Sequence, residues 1–128
     1  MSFDKRLYTE AVHAGVEPEA VTGAIMTPIF QTSTFVQESP GVHKGYDYSR
    51  ADNPTRKCLE DSLAALEGAS HALSFSSGLA AEQAVLQTLD PGSHVLVSDD
   101  VYGGTARLFH KLFSKYKIEF ELIDQQFL

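Results

Sequence analysis

From Asn53 onward the chain alternates short apolar strand patterns with helical ones, and this alternation limits the fold more than any other feature. Asn53-Pro54 reads as an N-cap followed by proline at the first helical position. Leu59, Leu63 and Leu66 then recur at helical spacing, which predicts one apolar face, and Gly68 closes that helix as its C′ residue. Residues 71–75 read as a short strand leading into Ser76-Ser77-Gly78-Leu79. The next helix has Leu79, Val85, Leu86 and Leu89 as its apolar side and ends at Asp90-Pro91-Gly92. His94-Val95-Leu96-Val97 reads as a brief buried strand, and residues 99–105 as a glycine-containing loop. A third helix carries Leu108, Leu112 and Tyr116 on one side, and Ile118-Glu119-Phe120-Glu121-Leu122 alternates as a half-exposed strand does. A helix followed by β-α-β-α-β predicts the α/β class with a mainly parallel sheet.

Before Asn53 the pattern is different. Residues 14–53 hold no sustained period and are rich in Gly, Thr, Ser and Pro. Yet Ile25, Met26, Ile29, Phe30, Phe35, Val36, Tyr46 and Tyr48 need burial. The expectation is an extended N-terminal arm, residues 1–53, lying on a later part of the fold or on a second subunit. Residues 54–128 form the other region. A three-stranded parallel sheet would leave a long edge near the C-terminus, so this region reads as the incomplete opening of a larger α/β domain.

Composition narrows the partners. Seventeen Asp+Glu against 10 Lys+Arg give a net charge of −7, which argues against nucleic acid. One cysteine excludes a disulfide scaffold and a cysteine-rich zinc site. No apolar run approaches the ~18 residues of a membrane span. Residues 1–6 open no leader pattern, so no membrane association and a cytoplasmic address are expected. His13, His43, His71, His94 and His110 lack metal-ligand spacing, so no metal site is expected, and Cys58 reads as a small core residue.

Three segments carry chemistry. Ser76-Ser77-Gly78-Leu79 opens a helix, where unpartnered amides and the helix dipole favour a phosphate, although plain capping by Ser77 is the favoured reading of that segment alone. In Tyr46-Asp47-Tyr48-Ser49-Arg50, Arg50 can hold a phosphate with the Tyr48 hydroxyl beside it, or simply pair on the surface with Asp47 or Asp52. Tyr102, within Asp99-Asp100-Val101-Tyr102-Gly103-Gly104-Thr105, lies at the carboxyl end of a strand. It can stack on a planar ring there or merely cover the sheet edge.

In combination these segments resemble one family. Thr9-Glu10-Ala11-Val12-His13-Ala14-Gly15, Pro28-Ile29 through Ser33-Thr34-Phe35, Tyr48-Ser49-Arg50 with Asn53-Pro54-Thr55-Arg56, Phe75-Ser76-Ser77-Gly78-Leu79-Ala80-Ala81 and Asp100-Val101-Tyr102-Gly103-Gly104-Thr105 resemble the N-terminal part of the Cys/Met-metabolism pyridoxal-phosphate enzymes. That family includes cystathionine γ-synthase and cystathionine γ-lyase. The resemblance implies the first part of a fold-type-I (aspartate aminotransferase-like) domain binding pyridoxal 5′-phosphate. It also implies a homotetramer, a dimer of dimers with shared sites, and elimination or replacement on sulfur amino acids or activated homoserine.

By the same resemblance, Tyr48 and Arg50 reach the cofactor phosphate of a neighbouring subunit. Gly78 and Leu79 give backbone amides to the phosphate in their own subunit, with Ser77 beside them. Tyr102 stacks on the pyridine ring and helps proton transfer, and Asp47 meets the distal amine of the substrate. Asp47 and Asn53-Pro54-Thr55 favour the γ-synthase or γ-lyase type over the enteric type of β-lyase. The family's Schiff-base lysine falls beyond residue 128, and Lys5, Lys44, Lys57, Lys111, Lys115 and Lys117 match nothing catalytic. A truncated copy, inactive alone, is therefore expected. The alternatives are a non-catalytic partner of a full-length homologue, or a stand-alone anion-binding α/β module with millimolar affinity or none for the free cofactor.

Overall fold

The computed structural model describes residues 5–127. The leader-free start was read on residues 1–6, of which 1–4 lie outside the described residues. The chain packs as two compact units, Met1–Ser74 and Phe75–Leu128. Local regularity changes at Asn53, but packing divides at 74/75, so the helix after Asn53 belongs with the arm.

The first unit holds α1 (Lys5–His13), a small hairpin of β1 (Gln37–Ser39) and β2 (Val42–His43), and α2 (Pro54–Leu66). Local chemistry sets both ends of α2. Asn53 is extended at the N-cap, its side chain accepts from the Thr55 amide, and Pro54 takes the first helical position. At the other end Gly68 turns left-handed at φ 64°. The Gly68 and Ala69 amides bond to the Ala65 and Ala64 carbonyls, a Schellman closure.

The buried side of α2 differs from the expected one. Glu60 and Ala64 are its buried residues, whereas Leu59 stays 52% and Leu63 44% exposed. Packing by α1 and residues 14–16 falls beside the leucine stripe rather than on it. The arm is more structured than its composition suggests, with α1 and the β1–β2 hairpin both unforeseen. Phe35 and Tyr46 are half-buried against each other, with ring centres 5.5 Å apart, but most of the arm's apolar residues stay outward: Ile29 is 84% and Val36 88% exposed.

The second unit is a β-α-β unit with a helix ahead of it: α3 (Gly78–Leu86), β3 (His94–Ser98), α4 (Gly103–Lys111) and β4 (Glu119–Ile123), with 3-10 turns at Phe113–Tyr116 and Gln125–Phe127. β3 and β4 pair in parallel, from His94 opposite Glu119 to Ser98 opposite Ile123. Leu86, Phe109, Phe113 and Ile118 form the core, with Val95, Val97 and Phe120 packed against it. Each such side chain contributes about 1.5–3 kcal/mol through burial.

Three expectations are corrected here. Residues 71–75 form no strand: a strand needs a neighbour for its amides, and the Ser74 amide instead donates to the Glu60 carboxylate at 2.9 Å. β3 is not wholly buried, because its pleat turns His94 and Leu96 outward. Around α4, Leu108 and Leu112 do pack against the core, but the most buried positions are Thr105 and Phe109, and Tyr116 remains exposed. Among the described residues no helix is long and apolar enough to cross a membrane.

Candidate functional site

In the first unit, residues 33–35 run antiparallel to 47–49. The Phe35 amide donates to the Asp47 carbonyl at 2.8 Å and the Ser49 amide to the Ser33 carbonyl at 2.9 Å, with a bridge between Thr34 and Tyr48. The chain then turns sharply, since the amides of Ala51 and Asp52 both donate to the Tyr48 carbonyl at 3.0 Å. Arg50 stands in this turn with its guanidinium carbon 5.0 Å from the centre of the Tyr48 ring.

The acids that might have neutralised Arg50 are engaged elsewhere. Asp47 accepts from the Tyr48 amide at 2.7 Å, and Asp52 accepts from the Asn53 amide at 2.8 Å while lying 3.5 Å from Arg56. Among the described residues no carboxylate lies within ion-pair distance of Arg50. Its five N–H donors are thus available to an anion.

The scaffold beneath this turn was not foreseen from sequence. Asn53 donates its side-chain amide to the Phe30 carbonyl and to Ser49 Oγ, and Thr55 Oγ1 accepts from the Phe30 amide at 2.9 Å. Arg56 donates to the carbonyls of Ser49 at 3.1 Å and Ala51 at 2.6 Å, and its Nε lies 3.6 Å from Glu60. Glu60 in turn accepts from the amide and hydroxyl of Ser74, at 2.9 and 2.7 Å. These Ser74 bonds, with Arg56 and Lys57 adding to them, hold the Glu60 carboxyl below the usual carboxylate range, against the opposing effect of burial. The spacing of Asp52, Arg56 and Glu60, each four residues apart, was the available signal. Cys58 is half-buried and its sulfur accepts from the Thr27 hydroxyl.

In the second unit Ser77 caps α3, its hydroxyl oxygen accepting from the Ala80 amide at 3.2 Å. The capping reading therefore holds. Among the described residues the amides of Gly78 and Leu79 have no acceptor, because no helical turn precedes them, and the Ser77 carbonyl accepts from Ala80 and Ala81. A Cβ on Gly78 would meet nothing within 4 Å, so the space beside its Cα is open.

Tyr102 opens α4, its carbonyl accepting from the Thr105 and Ala106 amides. Its ring is 73% exposed. A Cβ on Gly104 would strike that ring and would sit 3.1 Å from Leu79 Cδ1, so Gly104 lets the tyrosine lie beside the start of α3. The Thr105 hydroxyl donates to Glu82 at 2.7 Å and ties the two helices together. An exposed aromatic face next to unpartnered helix-start amides fits a planar ring that carries a phosphate.

The chain thus gathers Asp47, Tyr48 and Arg50 in one unit, and Ser77, Gly78, Leu79 and Tyr102 in the other. The sequence pattern of the Cys/Met metabolism PLP-dependent enzymes matches residues 8–128. The chain belongs to that family. Of its relatives, a probable cystathionine γ-synthase of Herpetosiphon aurantiacus is 53% identical over 116 residues, 91% of this chain and 36% of that protein. A cystathionine β-lyase of Coxiella burnetii is also 53% identical, over 104 residues, 81% of this chain and 27% of that protein. Identity over this stretch therefore does not separate γ- from β-chemistry in the Cys/Met family. The crystal structure of metB from Corynebacterium glutamicum superposes with a TM-score of 0.86 at 42% identity, over 92% of this chain and 31% of that one. This Cys/Met-family chain spans about a third of the length of the relatives it matches.

Proposed function

We propose that this chain supplies the phosphate- and ring-binding portion of a PLP-dependent transsulfuration enzyme of the cystathionine γ-synthase/γ-lyase type. Its substrate is a sulfur amino acid or an activated homoserine. The observation that carries this reading is the exposed Tyr102, whose ring and the Leu79 side chain at the start of α3 both close on Gly104.

In this reading the Gly78 and Leu79 amides and the Ser77 hydroxyl hold the phosphate of the same subunit's cofactor. Arg50 forks onto the phosphate of a neighbouring subunit, with the Tyr48 hydroxyl as a further donor. Tyr102 stacks on the ring, and its phenol oxygen holds a proton for transfer near the substrate. Asp47 meets the distal amine of a cystathionine-like substrate. When bound, pyridoxal phosphate supplies an electron sink for charge developing at the substrate's α-carbon.

The lysines of the second unit do not suit the Schiff-base role. Lys111 ends α4 roughly 12 Å along the axis from its start, and Lys115 and Lys117 follow beyond it. In this reading none of these three lysines carries the cofactor. The assembly in this reading is a homo-oligomer in the cytoplasm, with the exposed arm residues buried against a partner chain.

Joining residues 1–128 to the remaining length of the Herpetosiphon relative tests this reading. The expected product is a yellow protein that releases product from cystathionine or an activated homoserine. A soluble, colourless and inactive chimera would count decisively against it. Within the yellow chimera, Arg50→Ala is expected to weaken pyridoxal phosphate binding about tenfold, or ~1.4 kcal/mol, by equilibrium dialysis.

A further inference from the structure

We infer that Arg56 is the positioning residue for Arg50. It acts not by touching a ligand but by fixing the backbone on both sides of residue 50, and the inference rests on the reading of Arg50 as a phosphate-binding group. The two carbonyls that bracket Arg50, those of Ser49 and Ala51, both accept from the Arg56 guanidinium, at 3.1 and 2.6 Å. Its remaining contacts are acidic: Asp52 at 3.5 Å and Glu60 at 3.6 Å.

Arg56 is thereby occupied. A guanidinium bound to two carbonyls and flanked by two carboxylates has little left for a phosphate, whereas Arg50 has no acid beside it. The two arginines in one turn therefore divide the work. Arg56 carries the structural contacts, so that Arg50 need not fold back onto the Ser49 or Ala51 carbonyl.

Geometry makes the arrangement specific to arginine. The two carbonyls are reached by different terminal nitrogens of one planar fork while Nε faces Glu60. Lysine has the charge but a single donor atom, which cannot span both acceptors and the carboxylate together. With the backbone held on both flanks and the Tyr48 ring 5.0 Å from the guanidinium, Arg50 loses little further freedom when an anion arrives. Glu60 extends the same support, because it anchors Arg56 from α2 and is itself fixed by Ser74.

The test uses the full 128-residue chain as wild type, Arg56→Lys and Arg50→Ala. Amide hydrogen exchange is read residue by residue, and NMR shifts are followed on titration with pyridoxal phosphate and with unphosphorylated pyridoxal. The expected result for Arg56→Lys is exchange about tenfold faster at Ser49, Ala51 and Asp52. The amides of α1 and of the C-terminal half of α2, in the same unit as Arg56, keep their wild-type rates and report that this unit stays folded. In wild type the shifts of residues 48–51 respond to pyridoxal phosphate more strongly than to pyridoxal, and both variants lose that local difference while residues 77–79 keep theirs.

Unchanged exchange at residues 49–52 in Arg56→Lys overturns the positioning role. So does faster exchange in Arg56→Lys with the phosphate preference intact, provided Arg50→Ala abolishes that preference. A phosphate preference at residues 48–51 that survives in Arg50→Ala, or is absent there from wild type, overturns instead the reading of Arg50 on which the inference rests. The two failures are thus distinguishable.

Discussion

Gly15→Ala is expected to destabilise the chain by about 2–4 kcal/mol, a large share of the ~5–15 kcal/mol that holds a typical domain folded. Two independent costs combine. Gly15 has φ 68°, a left-handed conformation that disfavours any side chain. A Cβ there would also lie 2.5 Å from the Asp61 carbonyl carbon and 2.6 Å from both the Asp61 oxygen and the Ser62 nitrogen. Those atoms are the backbone of α2 and cannot swing aside as a side chain can. Relief requires the segment after α1 to lift from α2, which loosens the surface that buries Glu60 and Ala64. Urea unfolding monitored by circular dichroism reads the effect as a lower midpoint, with wild-type stability in Gly15→Ala as the contrary result. Gly23→Ala is a useful comparison, because it shares a positive φ of 72° but meets nothing within 4 Å. It should lose only the conformational part, about 1 kcal/mol.

Glu60→Ala is the second large effect, about 2–3 kcal/mol near neutral pH. It strips the amide and hydroxyl of Ser74 of their acceptor and leaves Arg56 without its carboxylate neighbour on α2. Its pH dependence has a definite sign. The folded carboxyl is held below its ordinary value near 4.5, so its ionised form is favoured by folding. The stabilisation is fully present above that ordinary value and disappears as pH falls through the lower, folded value. The gap in unfolding free energy between wild type and Glu60→Ala should therefore be constant above about pH 5.5 and narrow on acidification below about pH 4.5. Taking the difference removes the titration of the other acids, which both proteins share. A gap that widens as the pH falls would refute the assignment.

Local features were legible before any coordinates. The Asn53-Pro54 start of α2 and its Gly68 closure form as read; Asp90-Pro91-Gly92 does turn, but α3 already ends at Leu86, ahead of Leu89. Each rests on bonds between residues a few positions apart. The parallel pairing of β3 and β4 also followed from the order of patterns, because two strands joined through a helix have few other solutions.

Leu108 and Leu112 of the apolar stripe around α4 pack on the core, but the stripe omits the buried Thr105 for a physical reason. Thr105 is buried because Glu82 on another helix accepts its hydroxyl, a pairing that apolar periodicity does not count. The leucine stripe of α2 was misjudged similarly, because its buried side is organised around the charged Glu60. In the site, residue types and order singled out Tyr48, Arg50, Ser77, Gly78, Leu79 and Tyr102. Nothing in them said that Arg50 lacks an acid while Arg56 has two, since that depends on where Asp47 and Asp52 point.

What the amino-acid order settled alone was the kind of chain: its family and its strand-helix alternation, both written in near neighbours. Tertiary structure decided which arginine is free, which face of each helix is covered and why residues 14–16 can touch α2. Those outcomes depend on contacts between segments far apart in sequence, where a carboxylate or a backbone carbonyl from elsewhere competes for the same donor.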